Sequence, residues 1–336
     1  MKIAISGLNN TDNPSPGVAV AKSVVDEYSL IGLSYDPNEP GIYQEIFEKV
    51  YLMPYPSLGY EEFKKRIIEI KQKSNIDIII PNLDVELPLY IKYQKDIEKL
   101  GIKTYLPSFK CFEIREKRKL PELSKKIGVK HPKTVEIVSL DDLIKTTKDF
   151  NFPIMIKGNY YKAYKAQNLD EAIEYFYKIS NEWGFPLLVQ EVIDGNEINF
   201  AGIGDGEKLI SGVGIKKLTV TDLGKVWSAV SIKNENLFNV SKKFVELVGW
   251  RGAFEFEAIS KGKEIYLIEI NPRFPAWIYF ATMLGINLVK IMIDLINNKK
   301  VTQNFEYPVE KMYVRYVEET LADFKNFATL ISKKEL

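Results

Sequence analysis

Short apolar runs alternate with helix-length segments through the first third of the chain. "KIAIS" (Lys2 to Ser6), "LIGLSY", "IDIIIP" (Ile76 to Pro81) and "IKTYL" read as buried strands. Between them, Val18 to about Tyr28, "YEEFKKRIIEIKQK" and "LPLYIKYQKDIEKLG" carry helical periodicity, the last stopped by Gly101. Strands alternating with helices predict a parallel sheet covered on both faces, a doubly wound α/β domain. A charged helical stretch follows, "CFEIREKRKLPELSKKIGVKHPKT", with a Gly128 stop and Pro132 just beyond. Then come "KTVEIV", a helix over Asp141 to Phe150, the strand "FPIMIK", a loop "GNYYKAYKAQN", a helix over Asp170 to Trp183 and the strand "PLLVQEV". From Gly195 strands dominate: "EINFAGIG", "KLISGVGI", "VWSAVSI", "GAFEFEAI" and "EIYLIEIN". Helical patterning returns over Pro275 to Asn298, and "MYVRYVEE" adds a late strand. The pattern divides the chain into an α/β domain over 1–110, a small α+β part with a connecting helix over 111–192, and an antiparallel sheet with helices over 193–336.

The 336 residues suit two or three domains. With 46% apolar and 27% charged residues the chain fills real cores. Lys plus Arg (46) and Asp plus Glu (45) balance, so no global basic field points to nucleic acid. The N-terminus lacks the h-region of a signal peptide, and no apolar run reaches the ~18 residues of a membrane span. A soluble, cytoplasmic protein without a membrane partner is expected, acting on small molecules; dimers are common at this size, so a homodimer stays open. Cys111 is the single cysteine, which suits a reducing compartment and a packing role. His131, the single histidine, sits in a turn before Pro132 and reads as a capping or surface residue. One His and one Cys exclude zinc sites and Cys/His catalysis. The loop "SGLNNTDNPSPG" after the first strand lacks G-x-G-x-x-G, which argues against an NAD(P)-dependent oxidoreductase. That loop and "PNLDVE" are candidate substrate walls, because ligands bind beyond the carboxyl ends of such strands.

The densest chemistry lies in "GAFEFEAI" and "EIYLIEIN", separated by "SKGK", a hairpin signal. Alternate residues share a face, so Glu255 pairs with Glu257 and Glu269 with Asn271, while Tyr266, Ile268 and Ile270 pack behind. A three-residue loop, Lys261 to Lys263, would set Glu255 opposite Glu269 and collect every carboxylate on one face. A two-residue loop would undo that, since a one-residue slip flips each side chain. Carboxylates and an amide oxygen are hard ligands that suit Mg²⁺, and Arg273 just beyond can grip a phosphate or carboxylate. A solvated face of alternating Glu is the plain alternative.

"YLIEINPRF" resembles the metal-binding strand of ATP-grasp enzymes, in the branch of carbamoyl-phosphate synthase large subunits and biotin carboxylase. The resemblance implies that Glu257, Glu269 and Asn271 hold Mg²⁺ (or Mn²⁺), with Glu255 as the local alternative to Glu257, and that Arg273 contacts phosphate or the reacting carboxylate. "REKRKLPELSKKIGVKHPKT" is similar to the segment that offers ATP a first lysine, here Lys117 after Glu116. "FPIMIK" is similar to the strand ending in the second, here Lys157. "LLVQEVIDGNEI" resembles the adenine hinge, which assigns Gln190, Glu191, Val192 and Ile193 to the base, read by the backbone of Glu191 to Ile193, and Glu197 to the ribose. The implied architecture is a pre-ATP-grasp domain followed by a two-part ATP-grasp fold with a mobile lid over about Lys133 to Val192. The implied activity is carboxylate–amine ligation through an acyl phosphate, with an ATP-binding regulatory subunit as the alternative. The glycine-rich phosphate loop of many relatives is missing: "KGNYYKAYKAQ" keeps only Gly158, and Tyr160, Tyr161, Lys162 and Lys165 are candidate side-chain donors, Lys162 ahead of Lys165. Lys216 and Lys217 are candidates for the phosphoryl-transfer site; one strand face reaches it, and the sequence leaves the choice open. Trp227 and Trp277, with the tyrosines, are candidate pocket walls.

Overall fold

The computed structural model describes residues 1–158 and 162–336, so Tyr160 and Tyr161 lie outside the described residues. The N-terminal sheet has the order β3-β2-β1-β4, formed by β1 (Lys2–Ser6), β2 (Ser29–Ser34), β3 (Lys49–Leu52) and β4 (Ile78–Ile80), all neighbours parallel. Ile3, Ile5, Ile78 and Ile80 enter one core and Ala4, Ile31 and Ile79 another, so both faces are buried. Helices α1 (Gly17–Lys22), α2 (Tyr60–Ser74), α3 (Leu87–Lys92) and α4 (Gln94–Lys99) accompany the sheet. Three expectations change here. The first helix stops at Lys22, where the Ser23 hydroxyl donates to the Ala19 carbonyl and competes with further turns. "LPLYIKYQKDIEKLG" breaks into two helices at Tyr93, which leaves helical dihedrals (φ −109°) and stacks on Tyr60. "IKTYL" supplies one bridge, Lys103 to Ile78, rather than a strand.

Helix α5 (Phe109–Ile114), a 3₁₀ turn over Lys117–Lys119 and α6 (Leu120–Ile127) follow, and Gly128 (φ +81°) ends α6 as expected. A four-stranded antiparallel sheet then has the order β5-β8-β6-β7: β5 (Thr134–Ile137), β6 (Ile154–Gly158), β7 (Ala163–Ala166) and β8 (Leu187–Glu191). Helices α7 (Leu140–Thr147) and α8 (Leu169–Trp183) share its core. Strand β7 corrects the loop reading of "GNYYKAYKAQN". Its residues pair with β6 from Ile154–Ala166 to Lys157–Ala163, and Tyr164 stacks on Tyr175 of α8.

A six-stranded sheet has the order β13-β12-β9-β10-β11-β14, with β9 (Asn196–Asp205), β10 (Leu209–Val220), β11 (Val226–Ile232), β12 (Arg251–Lys261), β13 (Glu264–Asn271) and β14 (Met312–Val314). The helices are α9 (Glu235–Val248), α10 (Ile278–Met283), α11 (Leu288–Ile296) and α12 (Phe324–Lys333). The single helical stretch expected over Pro275 to Asn298 is two helices, because Gly285 between them takes φ +90°. The C-terminal Leu336 exchanges both backbone hydrogen bonds with Val50 of β3 at 2.8 Å. The chain forms two compact units: Met1–Phe112 with Asn199–Glu255 and Asn271–Leu336, and Glu113–Ile198 with Phe256–Ile270. Among the described residues no helix is long and apolar enough to cross a membrane.

Candidate active site

The hairpin departs from the three-residue loop. Strand β12 runs to Lys261 and β13 starts at Glu264, leaving a two-residue turn whose first position, Gly262, has φ +60°. That register alone would turn Glu269 away from Glu257. The register slips by one along the pair. Beyond the slip, the Asn271 amide donates to Glu255 Oε2 at 3.0 Å, a contact the uncorrected register forbids. A one-residue shift between the two strands therefore restores one face for Glu257 and Glu269. The packing residues are Ile265, Leu267 and Ile270, whereas Tyr266 and Ile268 are half-buried, which corrects the expected set.

In the smaller unit, Lys157 ends the apolar strand β6 and is only 9% exposed. Its ammonium donates to Gln190 Oε1 at 2.6 Å, and the Gln190 amide donates to Thr134 Oγ1 at 2.8 Å. Gln190 thus fixes Lys157 rather than presenting its side chain to a base. Burial pushes the Lys157 ammonium down to about 8; Lys117 adds to this, and Glu269, Glu257 and Glu197 oppose it. Lys117 Nζ lies 4.0 Å from Glu269 Oε1. Two lysines and three carboxylates, Glu269, Glu257 and Glu197, therefore share one electrostatic neighbourhood. In the hinge, the Glu191 N–H donates to the Lys133 carbonyl at 2.9 Å. Glu197 is exposed at the start of β9. Lys162 takes φ +67° and its carbonyl accepts from Gly158 N–H, closing the short β6–β7 connection. Lys165 is an exposed strand residue paired with Met155. His131 is half-buried, its Nδ1 2.9 Å from the Leu267 carbonyl, and burial lowers its pKa; it ties the chain to β13 instead of lying on the surface.

In the larger unit, Glu255 is 4% exposed and accepts from Asn199 Nδ2, Trp277 Nε1 and Asn271 Nδ2 at 2.7, 2.7 and 3.0 Å. A carboxylate so occupied is structural, which removes it as the alternative metal ligand, and Trp277 is its partner rather than a pocket wall. Arg273 donates from Nε to Asp84 Oδ1 at 3.0 Å and from Nη1 to the Phe274 carbonyl at 3.1 Å. Asp84 belongs to "PNLDVE", and the fully buried Glu86 carboxylate organises that loop. It accepts from the backbone of Asn82 and Leu83 at 2.9 and 3.0 Å, from Tyr35 at 2.5 Å and from Ser6. The loop is thus an orienting support for Arg273. Strand parity also decides between the two lysines of β10. Val213, Ile215 and Ala229 enter the same core as Ala201, Ala253 and Trp277, and Lys217 pairs with Ala229. Lys217 therefore shares the sheet face of Asn199 and Glu255, and Lys216 points the other way. Sequence reasoning missed Arg315. It donates to Asn10 Oδ1 at 3.3 Å and to the Ala276 carbonyl at 3.0 Å, and its buried Nε makes no hydrogen bond among the described residues. The available signal was a charge set inside the alternation of "MYVRYVEE".

Residues 185–320 match the family model described as ATP-grasp in the biosynthetic pathway with Ter operon. The chain carries an ATP-grasp domain. It is 22% identical over 222 residues to the carbamoyl phosphate synthase large chain of Clostridium acetobutylicum, covering 61% of this chain and 21% of that protein. The chain thus spans about a fifth of that relative's length. Among solved structures, the biotin carboxylase domain of the Hydrogenobacter thermophilus 2-oxoglutarate carboxylase, crystallised with MgADP, ADP and bicarbonate, gives a TM-score of 0.68 at 15% identity, covering 93% of this chain and 73% of that one. The L-amino acid ligase of Bacillus licheniformis gives 0.65 at 15% identity, covering 88% and 73%. The mixed α/β architecture is that of the ATP-grasp fold.

Proposed function

We propose that the chain is a Mg-ATP-dependent ligase that activates a carboxylate as an acyl phosphate and joins it to an amine. The observation that carries this reading is Lys157. A buried ammonium whose hydrogen bond goes to the neutral Gln190, and whose charge burial disfavours despite three nearby carboxylates, gains from a further anion in contact with it. Triphosphate oxygens are such an anion, with Lys157 and Lys117 as point charges on them. Val192 and Ile193 supply backbone for the base and Glu197 the ribose contact. Glu257 and Glu269, with Asn271 two residues further along β13, fit a Mg²⁺ or Mn²⁺ ion that arrives with phosphates. Such an ion neutralises charge on the phosphates when bound.

In the reaction, a carboxylate oxygen of the acid attacks the γ-phosphorus and the bond to the β,γ-bridging oxygen breaks, releasing ADP. The amine nitrogen then attacks the acyl carbon, phosphate leaves, and the amine gives up a proton. No side chain forms a covalent intermediate; positioning and charge carry the rate. Arg273, oriented by Asp84, and Arg315 are assigned to the acid, and Lys217 to the developing phosphoryl charge. Lys217→Ala is expected to lower turnover by about tenfold or more while Lys216→Ala leaves it unchanged, in steady-state assays of both variants.

The experiment for the reading as a whole is a screen of amino acids and small peptides, singly and in pairs, for ADP and phosphate release. Release that requires both an acid and an amine supports it. Nucleotide binding without release for any pair would favour a regulatory ATP-binding protein.

A further inference from the structure

The larger unit has a cavity on the sheet face that Lys216 takes, away from Glu255 and Asn199. Its volume is about 350 Å³, within the range of small-ligand sites. Phe200, Leu237, Phe238 and Phe305 line its interior. The rings of Phe238 and Phe305 meet edge to face at 4.8 Å, and those of Phe200 and Phe238 at 6.4 Å. Gly214 lies on its β10 side, where a Cβ would meet the Ile232 carbonyl at 3.0 Å and the Tyr307 hydroxyl at 3.4 Å. That hydroxyl is already engaged: it accepts from Gly214 N–H at 2.9 Å and donates to the Ile232 carbonyl at 2.7 Å. The interior therefore recognises apolar surface.

The charged groups of the lining are Lys233, Glu306 and the exposed Glu235, and Lys233 and Glu306 form a pair whose Nζ and Oε2 are 2.6 Å apart with side chains 45% and 86% exposed. So exposed a pair contributes little, and opening it costs little. A ligand with one charge would satisfy one partner and strand the other. A ligand with adjacent carboxylate and ammonium groups satisfies both. We propose that this cavity binds the zwitterion of an apolar α-amino acid, with its side chain among Phe200, Leu237, Phe238 and Phe305, its carboxylate on Lys233 and its ammonium on Glu306. The site is separate from the residues assigned to phosphoryl transfer, and the inference does not rest on their assignment.

Titration calorimetry on the full chain with L-phenylalanine and L-leucine tests it, in the presence of saturating MgADP. Saturable binding in the micromolar to millimolar range is expected. Glycine, 3-phenylpropionate and phenethylamine should bind at least about tenfold more weakly, since each lacks one of the three recognised groups. Lys233→Met and Glu306→Gln, both at exposed positions, should each weaken L-phenylalanine about tenfold, and Glu269→Gln should leave its affinity unchanged. Absence of saturable binding at millimolar concentration would overturn the proposal. Binding unaffected by both rim substitutions, or equal binding of the singly charged analogues, would overturn it too.

Discussion

Glu269→Gln is expected to lower turnover by about two orders of magnitude or more while the thermal midpoint moves by no more than a few degrees. The carboxylate is one of two on the β12–β13 hairpin proposed to hold the metal, and its loss removes electrostatic stabilisation worth several kcal/mol in the transition state. The fold gives up little. The side chain is 34% exposed, and its ion pair with Lys117 is long, at 4.0 Å, a contact of about 0–1 kcal/mol. A second consequence separates this role from a packing role. Glu269 holds the Lys157 pKa up, so its neutralisation should lower that pKa further and weaken nucleotide binding most at alkaline pH. Steady-state kinetics with a melting curve check the first part, and nucleotide titrations at two pH values the second. A full rate in the variant would remove Glu269 from the site.

Lys157→Met should reduce MgADP affinity by about tenfold or more and leave a folded protein. Methionine fills most of the same buried volume without a charge, so the substitution removes a desolvation cost along with the phosphate contact. The pH dependence follows from the folded pKa of about 8 against the ordinary 10.5. Between these values the unfolded chain holds more protons than the folded one, so wild-type stability rises with pH across that window, and Lys157→Met should lose the rise. Phosphate binding favours the ammonium. Nucleotide affinity should therefore be flat below about 8 and fall above it, with a proton taken up on binding. Calorimetry in two buffers of different ionisation enthalpy measures that proton. An affinity independent of pH from 7 to 9.5 would place Lys157 outside the phosphate contacts.

Much of the architecture was legible in the sequence because it rests on local periodicity. Strand–helix alternation up to Gly101 marked the parallel sheet, and Gly128 marked the end of α6. What escaped depends on contacts distant in sequence. The one-residue shift between β12 and β13 leaves no mark in "YLIEIN", which reads as continuous strand. Glu255 stood as the local alternative to Glu257 until Asn199 and Trp277, far apart in the chain, claimed it. Strand β7 was hidden by its lysine and tyrosine, which read as loop until Tyr164 is seen stacked on α8. Asp84 was legible as a candidate wall but not as the partner of Arg273, which lies 189 positions away. Lys217 could be chosen over Lys216 only once the core face of β10 was known.

The claim that organises the account is that a carboxylate oxygen becomes bonded to the γ-phosphorus of ATP. With an acid that supports ADP release, the decisive measurement is the transfer of heavy oxygen from labelled carboxylate to inorganic phosphate. The account predicts one labelled oxygen in phosphate for each ADP formed, and loss of both in Glu269→Gln. Unlabelled phosphate, or label appearing in AMP with release of pyrophosphate, would contradict it.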